Sequence, residues 1–266
     1  MIVDRDLVHR LETSAATVSM ATVDAYRRLD AGDPARAVPW GDGGALIAFG
    51  PGRYVNRAVG VTLEDIGDDG LDELEAFFGR SGVPSSIEVA SWCPPPLLER
   101  LVRRGYTVSW FRNVYAMDLE DASPAPHPHV GVREVVDGTV DEWLELLASG
   151  NEITSPEERT VSDEYARAEH ALAGSTDFVA DLDGAPHGCG SLVRADGVGW
   201  LGGAATEPAG RRRGVQTTLL RHRMAVARRD RCDVVAATAR PPGDSARNLS
   251  RVGFTLAYAQ AVMTRS

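Results

Sequence analysis

Three consecutive arginines, Arg211, Arg212 and Arg213, precede Gly214 within Glu207-Pro-Ala-Gly-Arg-Arg-Arg-Gly-Val-Gln-Thr-Thr-Leu-Leu220. The apolar pattern ends a strand before this segment and begins a helix inside it. A helix N-terminus presents unpaired backbone N–H groups and a partial positive charge. Gly214 lets the backbone turn sharply and approach a ligand closely. Guanidinium groups add charge-assisted bonds to phosphate. Together these residues can cradle a pyrophosphate without lysine. A solvated basic turn capping a helix is the bland reading of the same residues. The chain contains no lysine, since all 28 of its Lys+Arg residues are arginine. That excludes the lysine-dependent phosphate loop, the pyridoxal Schiff base and the protein-kinase strand lysine.

The elements that must position this segment follow from the rest of the sequence. At 266 residues, with 43% hydrophobic and 25% charged residues, the chain is long and apolar enough for one large domain or two smaller ones. A net charge of −10 argues against nonspecific nucleic-acid binding. Cys93, Cys189 and Cys232 form no Cys-x-x-Cys pair and read as reduced thiols of a cytoplasmic protein, with no metal site. No apolar run reaches the length of a membrane span, and Met1–Arg10 lacks the apolar core of a signal peptide. Asp121–His129 is proline-rich and reads as a linker, with His127 and His129 solvated rather than metal-binding. It divides the chain into 1–120 and 130–266.

In the first part, helical periodicity spans Asp6–Leu29, strands are expected at 44–50 and 57–63, and Leu71, Leu74, Phe77 and Phe78 mark a helix. A strand at 87–90, a helix at 96–104 and two strands at 106–110 and 113–118 follow. In the second part a strand at 130–136 precedes a helix at 140–148. Thr154–Glu157 carries a capping box, and a helix is expected over 162–173. Strands at 177–181, 187–194 and 197–205 are joined by the hairpin signals Asp183-Gly184 and Asp196-Gly197. A helix at 214–229, a strand at 233–239, a helix at 245–252 and a strand or strand pair at 254–264 follow. Leu101, Arg103, Gly105, Tyr106, Thr107 and Val114 repeat 148 residues later as Leu249, Arg251, Gly253, Phe254, Thr255 and Val262, which suggests an internal duplication.

The arginine segment resembles the phosphate loop of the GNAT superfamily of acyl-CoA-dependent N-acyltransferases, Gln/Arg-x-x-Gly-x-Gly/Ala. Arg211 and Gly214 match its first and fourth positions. Gln216 departs at the sixth, where the backbone N–H survives but the side chain must point away from the phosphates. Ser245-Ala-Arg-Asn248-Leu-Ser-Arg-Val-Gly253-Phe254 is similar to the family's second signature, a helix ending in Gly-Phe/Tyr. The resemblance covers 130–266. It implies an α/β chain of two tandem GNAT-like domains, each a mixed, mostly antiparallel twisted sheet flanked by helices. The first domain is degenerate: the counterpart of its phosphate loop is the acidic turn Leu63–Asp69. The resemblance also implies acetyl-CoA as co-substrate. Its pantetheine would bond backbone groups of Ala204, Ala205 and Thr206. Arg211, Arg212, Arg213, Gly214, Val215, Gln216 and Thr217 would hold the pyrophosphate, and Asn248 would contact the pantetheine or the sulfur end. The acceptor would be a primary amine of a small molecule or peptide, attacking the thioester directly.

The acid–base residues stay open. The tyrosine that the family often places four residues before the Gly of Gly-Phe is Leu249 here. Ser245 and Asn248 lie beside it, and Tyr258 follows on the last strand, where it also reads as a packed aromatic. Glu152 is the candidate base, with Glu207, Asp163 and His187 as rivals that also read as surface or capping residues. Trp92, Trp110 and Phe111 read as core packing or as the lining of an acceptor pocket. Two further functions compete with catalysis. One is a silent acyl-CoA sensor, motivated by Leu249. The other is nucleic-acid binding by the eight arginines of 211–231, which lack the interleaved aromatics that stack on bases. The expected assembly is a monomer or homodimer.

Overall fold

The computed structural model describes residues 1–30, 34–53, 55–60, 63–121, 127–241 and 243–266. The chain forms two compact units that are not contiguous in sequence. The first comprises 1–115, 239–243 and 256–266, and the second 116–238 and 244–255. Most of the expected linker, 122–126, lies outside the described residues. A single division near residue 120 therefore differs from the packing. The last strand returns to the first unit because its hydrogen-bond partner is there.

In the first unit, α1 (Arg5–Leu29) is capped by Asp4, whose carboxylate accepts from the Leu7 N–H at 2.9 Å. Its Val8, Leu11, Ala16 and Val23 are buried. Strands β1 (Arg36–Trp40), β2 (Gly44–Ala48), β3 (Arg57–Val59) and β4 (Ser85–Ala90) follow, with α2 (Asp68–Ser81) between the last two. Helix α3 (Pro95–Arg103) precedes β5 (Thr107–Asp118). The sheet order is β1-β2-β3-β4, then β11 (Thr255–Arg265), then β5. β11 runs antiparallel to β4, with Gln260 opposite Ala90 and Arg265 opposite Ser85. Leu46, Leu71, Leu74, Phe78, Ile87, Leu97 and Leu101 build its core.

In the second unit, β6 (Val130–Glu134), β7 (Ser175–Leu182), β8 (Ala185–Ala195) and β9 (Val198–Thr206) form an antiparallel sheet, and β10 (Val234–Ala239) joins β9 in parallel. Helices α4 (Val140–Gly150) and α5 (Pro156–His170) follow β6, α6 (Val215–Arg229) follows β9, and α7 (Asp244–Val252) follows β10. Both Asp-Gly turns have two consecutive positive φ angles, +51° and +85° at 183–184 and +53° and +75° at 196–197, the geometry of two-residue hairpins. Trp143, Leu144 and Leu147 of α4 pack on Val179, Cys189 and Ala205 of one sheet face. The other face carries α6: a Cβ on Gly188 would meet Val215 Cγ1 at 2.5 Å.

Several elements differ from the sequence expectation. β1 was not expected, because Pro39 interrupts its apolar pattern, yet proline is tolerated in an edge strand and β1 is one. β5 is one strand of 12 residues rather than two. α5 starts at Pro156, well before 162, and its N-cap is Ser155, whose hydroxyl accepts from the Glu158 N–H. The capping signal was therefore the true helix start, shifted by one residue.

Candidate active site

β9 and β10 hold the candidate site apart. Their parallel register runs only from Val198–Val234 to Trp200–Ala236. Beyond it β9 continues to Thr206 and β10 to Ala239, so the two strands diverge into a wedge. On the other edge of β9, the register with β8 slips between Cys189–Ala205 and Ser191–Gly202, which places one extra residue on β9. This bulge sits at Gly203, with φ +51°. A Cβ there would lie 2.4 Å from Ser191 Oγ, so the turn requires glycine.

Buried donors shape the bulge. The Cys189 thiol donates to the Gly203 carbonyl at 3.7 Å, and burial pushes that thiol up to about 12, so it stays protonated and keeps its donor hydrogen. In a trans peptide the C=O and N–H point in opposite directions. With the Gly203 carbonyl held by the Cys189 thiol, the Ala204 N–H of the same peptide points away from that thiol. A backbone N–H at this bulge, beside the wedge, can stabilise charge developing on a thioester oxygen.

Thr206 ends the strand, and Glu207 opens the loop through the 3-10 turn Pro208–Gly210. Arg212 (φ +61°) and Gly214 (φ +85°) take left-handed conformations before α6 begins. The first intrahelical bond is Thr218 N–H to Gly214 C=O at 2.9 Å, which leaves the N–H groups of Val215, Gln216 and Thr217 ahead of the helix ladder. A Cβ on Gly214 would meet the His127 ring at 2.8 Å. The Gln216 side chain turns to the sheet, where its Oε1 accepts from Thr206 Oγ1 at 3.3 Å. A backbone cradle therefore fits an anion here.

The three arginines do not act alike. Arg211 folds back and donates to the carbonyls of Thr206 (3.1 Å) and Gly150 (3.2 Å) and to Glu152 (2.9 Å). It fastens the loop to the end of α4 rather than offering its charge to a phosphate. Arg213 pairs with Asp183 at 2.8 Å. Arg212 is exposed and makes no ion pair among the described residues. The basic run 211–231 is also not one surface: Arg223 is buried and Arg229 pairs with Asp230.

Glu152 follows Asn151, the C-cap of α4, in a left-handed conformation (φ +59°) and is held by Arg211. Its rival Asp163 is held by Arg159 on α5. The structure brings the other two rivals together. Glu207 accepts from Ser149 Oγ at 2.9 Å and lies 3.2 Å from His187 Nδ1, and Glu207 and His187 are both only partly exposed. Their proximity comes from the antiparallel pairing of β8 and β9, which puts the start of one strand beside the end of the next. Ser245 is exposed on α7. Asn248 is half-buried, its Oδ1 accepting from Arg251 at 3.4 Å. Leu249 is buried, and no hydroxyl occupies that position. Tyr258 lies in the first unit, buried, donating to Glu12 at 2.6 Å. Trp92 and Phe111 are 37% and 55% exposed, so neither packs in the core. Trp110 lies beneath the Arg240 guanidinium at 4.5 Å. No group of three His, Cys, Asp or Glu that could hold a metal ion occurs among the described residues. None of the described helices is long and apolar enough to cross a membrane.

The acidic turn of the first unit is occupied by its own arginines. Arg5 donates to the Leu63 carbonyl (2.6 Å) and Glu64 (2.9 Å), Arg100 pairs with Asp65, and Arg104 pairs with Asp68 (2.9 Å) and Asp72 (2.6 Å). The hydrogen bond from Arg104 holds the Asp68 carboxyl below the usual carboxylate range. Carboxylates thus stand at the N-terminus of α2, where an anion would otherwise be favoured.

Comparison with known proteins agrees with this geometry. Residues 140–254 match the model of the acetyltransferase (GNAT) family. No curated protein matches the sequence. Among solved structures, a GCN5-related N-acetyltransferase from Kribbella flavida is 17% identical, with a TM-score of 0.69 over 94% of this chain and 95% of that one. A tandem GNAT protein from the clavulanic acid biosynthesis pathway is 13% identical, with a TM-score of 0.62 over 100% and 96%. A conserved protein of unknown function from Staphylococcus epidermidis is 12% identical, with a TM-score of 0.61 over 89% and 96%. The chain has the fold of these tandem GNAT proteins, and its residues 140–254 match the GNAT acetyltransferase family model.

Proposed function

We propose that the second unit transfers an acetyl group from acetyl-CoA to a primary amine of a small molecule or peptide, by direct attack within a ternary complex. The observation that carries this reading is the β9–β10 wedge with a bulged β9 leading directly into the backbone cradle of 211–217. In this reading Ala204, Ala205 and Thr206 hold the pantetheine through backbone groups, the loop N–H groups hold the pyrophosphate, and Asn248 steadies the sulfur end. The Ala204 N–H receives the developing oxyanion. The attacking amine loses its proton to the Glu207–His187 pair. We prefer this pair over Glu152, whose carboxylate is engaged by Arg211. A thiol near the usual pKa of about 8.5 leaves as thiolate without a dedicated acid, which accommodates Leu249 and gives Ser245 no obligatory role.

The first unit, in this proposal, does not bind CoA. Calorimetry should therefore find one CoA site per chain, and two equivalent sites would overturn that assignment. Thiol release from acetyl-CoA with a panel of primary amines tests the activity. Tight CoA binding with no amine turned over would favour an acyl-CoA sensor, the reading that the buried Leu249 keeps open.

A further inference from the structure

The second unit buries a whole guanidinium group. Arg223 of α6 is 1% exposed, and no carboxylate pairs with it among the described residues. Its Nη1 donates to the carbonyls of Ser191 and Gly202, each at 3.0 Å, and its Nε to Leu219 at 3.3 Å. Burial lowers it to about 10, so it remains charged at neutral pH. A charge taken out of water without a paired carboxylate is expensive, and apolar residues of similar volume are often as stable in such places. The sequence nevertheless clears space for it: a Cβ on Gly190 would lie 2.8 Å from the guanidinium.

The two carbonyls it bridges flank the β8–β9 slip. Ser191 and Gly202 are the last register pair before the bulge. Gly202 is held by Arg223 from the α6 side, and Gly203 by the Cys189 thiol from the α4 side. The two carbonyls that precede the Ala204 N–H are thus each held by a buried donor, one from each face of the sheet. In the first unit the residue 148 positions earlier is Glu75, paired with Arg104 and Arg265. The buried cation therefore accompanies the cradle-bearing copy and not the acidic one.

We infer that Arg223 is a positioning residue, which locks the β9 bulge from behind so that the Ala204 N–H is fixed on the thioester carbonyl, and which adds a fixed positive charge behind that peptide. This rests on the acetyl-CoA reading above, and the experiment separates the two. The full-length protein and its Arg223→Lys and Arg223→Met variants are compared by the infrared stretch of acetyl-CoA labelled with ¹³C at the thioester carbonyl. CoA affinity by calorimetry and thiol release with an amine are measured alongside. Lysine keeps the charge but not the planar fork that bridges two carbonyls, and methionine keeps neither. The bound carbonyl should be shifted to lower frequency in the unmodified protein. It should return part of the way to the free value with lysine and further with methionine. The turnover number should fall about 100-fold in the methionine variant, as on removal of an oxyanion donor. CoA affinity should change less than about twofold, because the loop is untouched. A folded methionine variant whose bound carbonyl keeps the frequency seen in the unmodified protein, with turnover within about threefold, would overturn the inference and leave the proposed function standing. A carbonyl shift lost on substitution, with no amine turned over even by the unmodified protein, would sink the transferase reading while supporting the role of Arg223. If the unmodified protein binds no acetyl-CoA, both fail.

Discussion

Glu12 makes the stability of the first unit depend on pH. Its side chain is buried on α1, where Oε1 accepts from the Tyr258 hydroxyl at 2.6 Å and from Gln260 Nε2 at 2.7 Å, while Oε2 has no hydrogen-bond partner among the described residues. Burial raises it from the ordinary 4.5 to about 7; the Tyr258 bond opposes this, the nearby Glu88 carboxylate adds to it, and Arg112 offsets part. Between pH 4.5 and about 7 the folded state holds a proton that the unfolded chain has released. Stability therefore falls as pH rises through that window and is flat, for this group, on either side. The interval of about 2.5 units corresponds to about 3 kcal/mol. Hydrogen exchange of the α1 amides in the full chain, corrected for intrinsic rates, reads the opening free energy from pH 4.5 to 8. It should drop by about 3 kcal/mol in the unmodified protein and lose most of that slope in Glu12→Gln, which mimics the protonated acid. An α1 opening energy that is flat over this range, or an equal slope in the glutamine variant, would refute the assignment to Glu12.

Three further outcomes concern the cradle, the end of α4 and the three thiols of the chain. Gly214→Val forces a β-branched residue to φ +85° and against the His127 ring, and should weaken CoA binding at least about tenfold by calorimetry while the unit stays folded. Gly150→Ala places a Cβ 2.7 Å from Ala205 Cβ and 2.8 Å from the Thr206 N, and backbone cannot yield cheaply; the second unit should lose about 1–3 kcal/mol in urea unfolding. Cys93 is the half-exposed thiol, whereas Cys189 and Cys232 are buried, so Ellman's reagent should titrate Cys93 in the native protein and the other two only after denaturation.

The sequence carried the local signals and not the distant ones. Helix α1, the Asp-Gly hairpins and the loop into α6 were legible because spacing, turn chemistry and glycine placement are written in adjacent residues. The return of β11 to the first unit was not, since a strand's own residues do not name the strand it pairs with. The clustering of Glu207 with His187 was hidden for the same reason, as the two lie 20 residues apart and meet only through strand register. Arg223 did leave a trace. It shares the apolar spacing of Leu219, Leu220, Met224 and Ala227, so it stands on the buried face of α6, and Gly190 on β8 makes room for its head. An arginine in a core stripe opposite a glycine is a readable sign of a buried cation, whereas counting it among neighbouring arginines concealed it. At Arg211 a charge beside a cradle suggests phosphate contact, and what the sequence did not indicate is that the side chain donates to Gly150, Thr206 and Glu152.

The duplication turns these local differences into a comparison. At the 148-residue offset, α2 overlies α6, β4 overlies β10, α3 overlies α7 and β5 overlies β11. Both units therefore present a helix N-terminus after a strand of a parallel pair, with the same partial charge at the same place. What differs is the chemistry of the turn. Arg212, Arg213 and Gly214 correspond to Glu64, Asp65 and Ile66, so one copy has a glycine that admits close approach and the other has carboxylates already neutralised by Arg5 and Arg100. Exchanging backbone geometry between the units would change little, because the helix terminus is common to both. The side chains around it decide whether an external anion or an internal carboxylate takes the site, and the same choice extends to the sheet, where the buried cation behind the β9 bulge has an acid as its counterpart.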